Sequence, residues 1–268
     1  MIQMMKLKCR KLTKKEEEET LIKIIDTLLD PSLPYSGKHR LKQWEKGWGQ
    51  NLEEGGLCPH YFGKYPVNRL NGKFVMAVSP DYERQKLYEI LGSIFKKYLR
   101  KAKDIYEFGC GTGHNIIQTL RYNPDAKRIG LDWARSSQKI LEEMNIENHN
   151  FDFFKPNHKI KLAKDSAVYT VAALEQTGKD YKKFVSYLLK NKPAICIHIE
   201  PIAELLDKTK LLDYLSIKYF EKRKYLNGFL DYLRKLEKEK KIKIIEAKRS
   251  GVGSMFIEGY SIIVWKPL

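Results

Sequence analysis

A glycine-rich loop is the stretch of this sequence whose residue types point most directly to ligand binding. Residues 107–114 read Glu-Phe-Gly-Cys-Gly-Thr-Gly-His, and the pattern of residues 105–108 predicts a strand running into the loop. Closely spaced glycines let the backbone approach a bound group without Cβ clashes. The dinucleotide fingerprint needs a small third residue where this chain has His114, so the loop fits an NAD site poorly.

Acidic residues follow at the ends of the next two predicted strands. Asp132 lies roughly twenty residues beyond the loop, the distance at which an acidic residue accepts bonds from both hydroxyls of a ribose. Asp152 lies near the end of the third predicted strand. Because NAD and other nucleoside cofactors share the ribose, Asp132 by itself predicts a nucleoside cofactor without choosing one.

The spacing of Gly109, Gly111 and Gly113, with Glu107 two residues ahead, resembles motif I of class I S-adenosylmethionine-dependent methyltransferases. The runs 172–176, 188–193 and 199–201 are similar to that family's fourth strand, following helix and fifth strand, although Glu175-Gln176 replaces a common Glu-His pair. The resemblance covers about residues 79–268, and residues 1–78 resemble methyltransferases of surface-polysaccharide pathways. It implies S-adenosylmethionine as the cofactor, held by Glu107, Gly109, Gly111, Gly113, Asp132, Trp133, Asp152 and Phe153.

The elements that must position these residues alternate between strand and helix from residue 79 onward. This pattern predicts an α/β fold, a Rossmann-like doubly wound and mostly parallel sheet. Two close strands over 242–245 and 260–265 predict a C-terminal antiparallel hairpin. We expect residues 1–78 to form an N-terminal, helical, substrate-side cap and residues 79–268 the cofactor domain, with 202–241 as a helical lid inserted before the last two strands. Thr13 and Glu16 fit a capping box that opens a helix, and another helix is predicted over residues 116–120.

Three residues near the ends of the fourth and fifth strands are candidates for a general base, since ligands bind beyond the carboxyl ends of such strands. They are Glu175, His198 and Glu200. A base is needed only where the acceptor arrives protonated. Each residue has a structural alternative: Glu175 can brace the next helix or hold the cofactor, His198 can be a core residue, and Glu200 can end its strand.

Aromatic and basic residues cluster in the two segments outside the cofactor core. The candidates for acceptor binding are Tyr61, Tyr65 and Arg69 in the first segment and Tyr219 and Arg223 in the second. Such mixtures suit an acceptor that carries a phosphate and a ring or sugar. The alternative is an ordinary amphipathic lid with a solvated face.

Composition narrows the class of protein. The chain has 268 residues, 50 Lys plus Arg and 33 Asp plus Glu, and therefore a net charge of +17. This excess suggests an acidic partner, which includes nucleic acid, or a lysine-rich genome. The four cysteines are scattered, which argues against a zinc site or a disulfide framework and predicts no metal. Residues 1–6 form no signal-peptide pattern and no run suits a membrane span, so we expect a cytoplasmic protein.

These observations favour methyl transfer to an oxygen or nitrogen of a small, anionic acceptor such as a sugar or nucleotide-linked sugar. Methylation of RNA or another nucleic acid, or of a peptide or protein, stays open. A non-catalytic binding protein on the same fold is the remaining hypothesis, because fold does not entail function. The oligomeric state has no signal in the sequence.

Overall fold

The computed structural model describes residues 8–268, so the first seven residues of the predicted cap lie outside it. Eleven strands and seven α-helices are found within this range. The strands are β1 (Cys9–Lys11), β2 (Val67–Leu70), β3 (Lys73–Ala77), β4 (Asp104–Phe108), β5 (Lys127–Asp132), β6 (Glu147–Asn150), β7 (Ala167–Val171), β8 (Ile195–Glu200), β9 (Ile242–Lys248), β10 (Val252–Ser254) and β11 (Ser261–Pro267). The helices are α1 (Lys14–Leu29), α2 (Leu41–Glu54), α3 (Tyr82–Tyr98), α4 (Arg135–Glu143), α5 (Lys182–Asn191), α6 (Leu211–Arg223) and α7 (Phe229–Lys238).

Seven strands form the central sheet in the order β6-β5-β4-β7-β8-β11-β9. Neighbours from β6 to β8 pair in parallel, and β11 is antiparallel to both β8 and β9. The predicted α/β class, mostly parallel sheet and C-terminal antiparallel hairpin are confirmed. None of the helices within residues 8–268 is long and apolar enough to cross a membrane.

Helices cover both faces of this sheet. Successive residues of its central strands point to opposite sides, so the side chains on both sides are buried. Val168 packs with Phe184 and Phe229 under α5 and α7, whereas its neighbour Tyr169 packs with Phe95 on the α3 side. Because both faces are covered, a strand such as β7 is buried throughout rather than at every second residue.

A second, antiparallel sheet has the order β1-β3-β2-β10. Three of its strands come from the amino-terminal segment, but β10 comes from near the carboxyl end of the chain. Helices α1 and α6 pack against each other and share an apolar cluster with this sheet. We use the word cap for residues 8–78 together with α6 and β10. Thr13 and Glu16 form the capping box that begins α1, as the sequence predicts.

Two local expectations are corrected. The predicted helix over 116–120 is a short 3₁₀ helix, Ile116–Arg121. The segment 202–241 does not form one helical lid, because its two helices belong to different layers. Helix α6 packs in the cap, whereas α7 buries Phe229, Leu230 and Leu233 in the core beside β9.

Candidate cofactor and acceptor site

The glycine loop turns sharply at the carboxyl end of β4 and forms one wall of a cavity. Gly109 and Gly111 line this cavity and have φ values of +72° and +52°, a region that favours glycine. A Cβ at Gly109 would collide with that of Ala173, and one at Gly111 would lie 2.9 Å from the Trp48 ring. Gly113 instead faces the side chains of Leu141 and Met144. Only the first two glycines therefore border the cavity.

Asp132 lies at the end of β5 on the cavity wall. One carboxylate oxygen accepts the N–H of Gly111 at 2.9 Å, and the other accepts the N–H of Ala134 at 2.9 Å. Burial raises the pKa of Asp132 to about 6, and these backbone bonds oppose the rise. Each oxygen keeps a second lone pair, so the pair of oxygens can accept two further hydroxyl donors.

Aromatic rings form the adjoining wall. Trp133 lines the cavity and stacks on Phe154 with ring centroids 6.0 Å apart, and Phe153 lines it as well. The neighbouring Asp152 is placed differently. Its carboxylate accepts the N–H of Phe154 at 2.7 Å and the residue is not part of the cavity wall in the described chain. The predicted contact of Asp152 with the cofactor therefore stays a prediction, and the structure places the neighbouring Phe153 and Phe154 on the cavity wall instead.

Glu107 lies beneath the loop and not in the cavity. Its fully buried carboxyl accepts bonds from Tyr169 Oη at 2.9 Å and from Asn115 Nδ2 at 3.2 Å. Burial raises its pKa to about 8. Glu107 therefore positions Asn115, which does line the cavity, and its predicted direct contact with the cofactor is corrected to an indirect role.

His114 and Asn115 line the cavity, and each carries one buried acceptor atom without a partner in the described chain. Thr112 Oγ1 donates to the Leu57 carbonyl at 2.6 Å, so its contact of 3.2 Å with His114 Nδ1 requires the histidine to donate. His114 Nε2 is then an acceptor, and burial lowers the pKa of His114 to about 3. Neither His114 Nε2 nor Asn115 Oδ1 has a hydrogen-bond partner within residues 8–268. Sequence reasoning treated His114 only as a misfit to the dinucleotide pattern.

Helix α2 covers the cavity. Trp44 and Trp48, one turn apart on this helix, line the cavity and stack with centroids 5.3 Å apart. Between them, the Glu45 carboxylate accepts hydrogen bonds from the N–H groups of the first two residues of α4, Arg135 at 2.6 Å and Ser136 at 2.9 Å. Because Ala134 cannot cap α4, Glu45 acts as its cap and fixes α2 over the glycine loop. The tryptophans are visible in the sequence, but nothing local predicts the role of Glu45.

Two of the three candidate bases are structural. Glu200 is fully buried and accepts the N–H groups of Ala173, Leu174 and Glu175 at 3.0–3.2 Å, so it braces the turn after β7. His198 is also fully buried, with Nδ1 3.0 Å from Thr170 Oγ1.

The His198 ring packs among aromatic core residues, with its centroid 5.1 Å from that of Phe229. Burial lowers its pKa to about 3. Neither His198 nor Glu200 lines the cavity in the described chain, so their surroundings favour the structural alternatives that the sequence leaves open.

Glu175 is the candidate base that stays next to the cavity. It lies in the 3₁₀ turn Leu174–Thr177 after β7 and is 8% exposed. Gln176 lines the cavity and donates from Nε2 to Glu175 Oε1 at 2.9 Å. Burial raises the pKa of Glu175 to about 8, with the Glu200 carboxylate acting in the same direction and Arg223 and Arg40 opposing it.

The predicted acceptor residues separate into two groups. Arg69 is 2% exposed and its guanidinium donates to the carbonyls of Met255, Leu212 and Phe256, so it joins β2 to the rest of the cap. Tyr65 packs edge-on against Phe256 in the same cluster. Acceptor binding by these two residues is corrected to a structural role.

The other predicted acceptor residues lie closer to the cavity. Tyr61 lines it and is 45% exposed. Tyr219 and Arg223 lie near the end of α6, and the Arg223 guanidinium opposes the rise in the pKa of Glu175 that burial causes. Burial raises the pKa of Tyr219, and the Glu175 carboxylate adds to this rise.

Comparison with known proteins supports the fold independently of the site. No protein-family model matches the sequence, and no curated protein matches it. The methyltransferase domain of bacterial CtHen1-C is 13% identical, with a TM-score of 0.50, and the match covers 68% of this chain and 98% of that domain. TnmH is 18% identical, with a TM-score of 0.50 and coverage of 69% and 56%.

Human N-acetylserotonin methyltransferase in complex with SAM is 15% identical, with a TM-score of 0.49 and coverage of 68% and 54%. The chain thus spans little more than half the length of TnmH and the human enzyme. The two matches with a TM-score of 0.50 establish the fold alone: the chain has a Rossmann-like methyltransferase fold.

Proposed function

We propose that this protein transfers a methyl group from S-adenosylmethionine to an oxygen or nitrogen of a small anionic acceptor. The observation that carries the proposal is the set of groups around the glycine loop, which matches the cofactor part by part. Asp132 offers two oxygens to the ribose, and Trp133 with Phe153 offers an aromatic wall to the adenine. His114 Nε2 and Asn115 Oδ1 are unpartnered acceptors that suit the ammonium group of the methionine part.

The bound cofactor would supply a methyl group on a positively charged sulfur, and the chain's residues have three tasks. The glycine loop and Trp48 hold the cofactor and exclude water. The turn after β7, which Glu200 braces, carries Gln176 on the cavity wall and Glu175 bonded to Gln176. Glu175, with a pKa of about 8, takes the proton from an acceptor hydroxyl or ammonium. We therefore expect methyl transfer to increase with pH through about 8 and to lose this dependence in Glu175→Gln.

Binding of S-adenosylhomocysteine to the full chain by isothermal titration tests the cofactor part of the proposal. Asp132→Asn removes an acceptor oxygen and should weaken this binding at least about tenfold. Asp231→Asn, at an exposed aspartate on α7, should leave it unchanged. An absence of binding to the wild type would contradict the proposal. Turnover against a panel of nucleotide sugars then tests the acceptor.

A nucleic-acid acceptor is the second candidate, and the net charge of +17 favours it. Binding of tRNA that weakens steeply with salt, together with its methylation, would support this candidate over the first. Failure to bind at low salt would remove it.

A further inference from the structure

Two arginines near Glu175 have fewer hydrogen-bond partners within residues 8–268 than the structural arginine Arg69. Arg40 is 7% exposed and donates, within this range, to the side-chain oxygens of Gln43 at 2.9 Å and Gln176 at 3.4 Å. Arg223 is partly buried, its guanidinium lies 5.3 Å from the ring centre of Tyr225, and its buried Nε has no partner in the described chain. No carboxylate oxygen within residues 8–268 lies within 4.0 Å of either side chain.

Arg249 and Arg69 show how the structural arginines of this chain are satisfied. The Arg249 guanidinium bonds both oxygens of Asp213 at 2.7 Å and the Glu258 carboxylate at 2.5–2.9 Å. Arg69 has no carboxylate partner within residues 8–268, but it donates to three backbone carbonyls and to Ser216 Oγ. The buried guanidinium of Arg40 has two amide oxygens as its acceptors, so its charge is less well compensated, and this costs free energy. A hydrogen bond from the Ser36 N–H to the Arg223 carbonyl at 2.8 Å joins the segment before Arg40 to the end of α6. Burial lowers the pKa of Arg40, and the nearby charge of Arg223 acts in the same direction. The positive charges of the two guanidinium groups repel each other unless an anion lies between or beside them.

Gln176 connects the two arginines to the proposed cofactor cavity. It lines the cavity and also accepts the hydrogen bond from Arg40, so one side chain separates Arg40 from the cavity. Tyr219 and Tyr225 flank Arg223, with ring centres 5.8 and 5.3 Å from its guanidinium carbon. Glu175 lies on the same side and does not pair with either arginine. A group bound by the arginines would therefore hold the rest of an acceptor toward Glu175 and Gln176.

We propose that Arg40 and Arg223 bind an anionic group of the acceptor, a carboxylate or a phosphate, and so select acceptors that carry one. This inference rests on the proposed function, because it assigns a subsite to the same acceptor. A planar guanidinium group binds a carboxylate or a phosphate in the same way, through paired hydrogen bonds to two oxygens of the anion. Removing one guanidinium should cost about tenfold or more in anion affinity.

The experiment uses the full chain and two simple probes, inorganic phosphate and benzoate. Binding is followed by ³¹P line width and by saturation transfer to benzoate protons, and each sample is also titrated with S-adenosylhomocysteine. We expect millimolar binding of at least one probe, about tenfold weaker in both Arg223→Gln and Arg40→Gln. Arg234→Gln, an exposed arginine on α7, is the matched control and should bind the probes as the wild type does. Binding of phosphate alone or of benzoate alone identifies which anion the subsite takes.

Unchanged S-adenosylhomocysteine affinity in the two variants shows that they are folded, and Arg223→Lys should restore part of the anion affinity. Binding of neither probe, or equal binding by the wild type and Arg223→Gln, would overturn the subsite. The two proposals fail separately. Anion binding without S-adenosylhomocysteine binding contradicts the methyltransferase function, whereas the opposite result contradicts only the subsite.

Discussion

Replacing Gly111 by alanine tests whether α2 closes directly on the glycine loop. Gly111 has a φ of +52°, and a Cβ there would lie 2.9 Å from the ring of Trp48, closer than carbon atoms pack. The indole would have to move by at least about 0.5 Å to reach ordinary contact. Trp48 cannot move alone, because Glu45 on the same helix is bonded to the first residues of α4.

The expected cost has two parts that a control separates. An alanine in the left-handed region costs about 1–2 kcal/mol. Forcing a methyl group into a packed site costs about 1–3 kcal/mol more. Gly72, in the turn between β2 and β3, has a φ of +73°, and a Cβ added there would meet nothing within 4 Å, so Gly72→Ala measures the first part alone. The difference between Gly111→Ala and Gly72→Ala is therefore the contact with Trp48.

A double-mutant cycle in urea provides the assay, with Gly111→Ala, Trp48→Ala and the double variant followed by far-ultraviolet circular dichroism. Because removing the indole relieves the clash, the Ala substitution at Gly111 should cost less in the Trp48→Ala background, by about 1–3 kcal/mol. Equal costs for Gly111→Ala and Gly72→Ala, or a coupling energy below about 0.5 kcal/mol, would refute the packing of α2 on the loop.

Three further predictions concern residues whose roles the structure defines. Arg69→Met should lower the free energy of unfolding by about 2–4 kcal/mol, because the Met255 and Phe256 carbonyls lose their donor. An unchanged free energy of unfolding would contradict the structural role of Arg69 and favour acceptor binding. Glu45→Ala should lower the free energy of unfolding by about 1 kcal/mol, because α4 loses its cap. It should also increase the rate of S-adenosylhomocysteine release in stopped-flow measurements, and an unchanged rate would mean that α2 does not retain the cofactor. Burial raises the pKa of Glu107 from 4.5 to about 8, so its stabilising contribution is present below pH 4.5 and lost as the pH rises through 8. The Tm of Glu107→Gln should therefore fall less between pH 5 and 8 than that of the wild type, and parallel curves would contradict this.

The features that sequence alone predicted correctly are those with local causes. The glycine loop follows its strand directly, and Asp132 ends the next strand, so both lie at the same edge of a parallel sheet. The parallel sheet itself follows from the alternation of strands and helices. The capping box at Thr13 and Glu16 needs only four consecutive residues. None of these depends on a contact between distant segments.

The features that it missed depend on such contacts. The alternation of Ile197, His198 and Ile199 indicates that His198 points to the opposite face of β8 from its two neighbours. Because both faces of this strand are buried, the pattern cannot distinguish a functional site from the core. Arg69 acquires its structural role from carbonyls 143–187 positions further along the chain. Glu45 caps a helix that begins 90 residues later.

The cap cannot be assigned to the amino-terminal segment alone, and this bears on how the acceptor is recognised. Strand β10 pairs with β2 through Val252 and Leu70, and without it the edge of β2 would expose unpaired backbone groups. Arg69 adds side-chain bonds to the same distant segment and to α6. The proposed anion subsite has the same origin, since Arg40 precedes α2 and Arg223 ends α6. Because residues 8–78 and α6 together build the proposed anion subsite, we expect a fragment lacking residues 8–78 to lose this subsite and the α2 cover together.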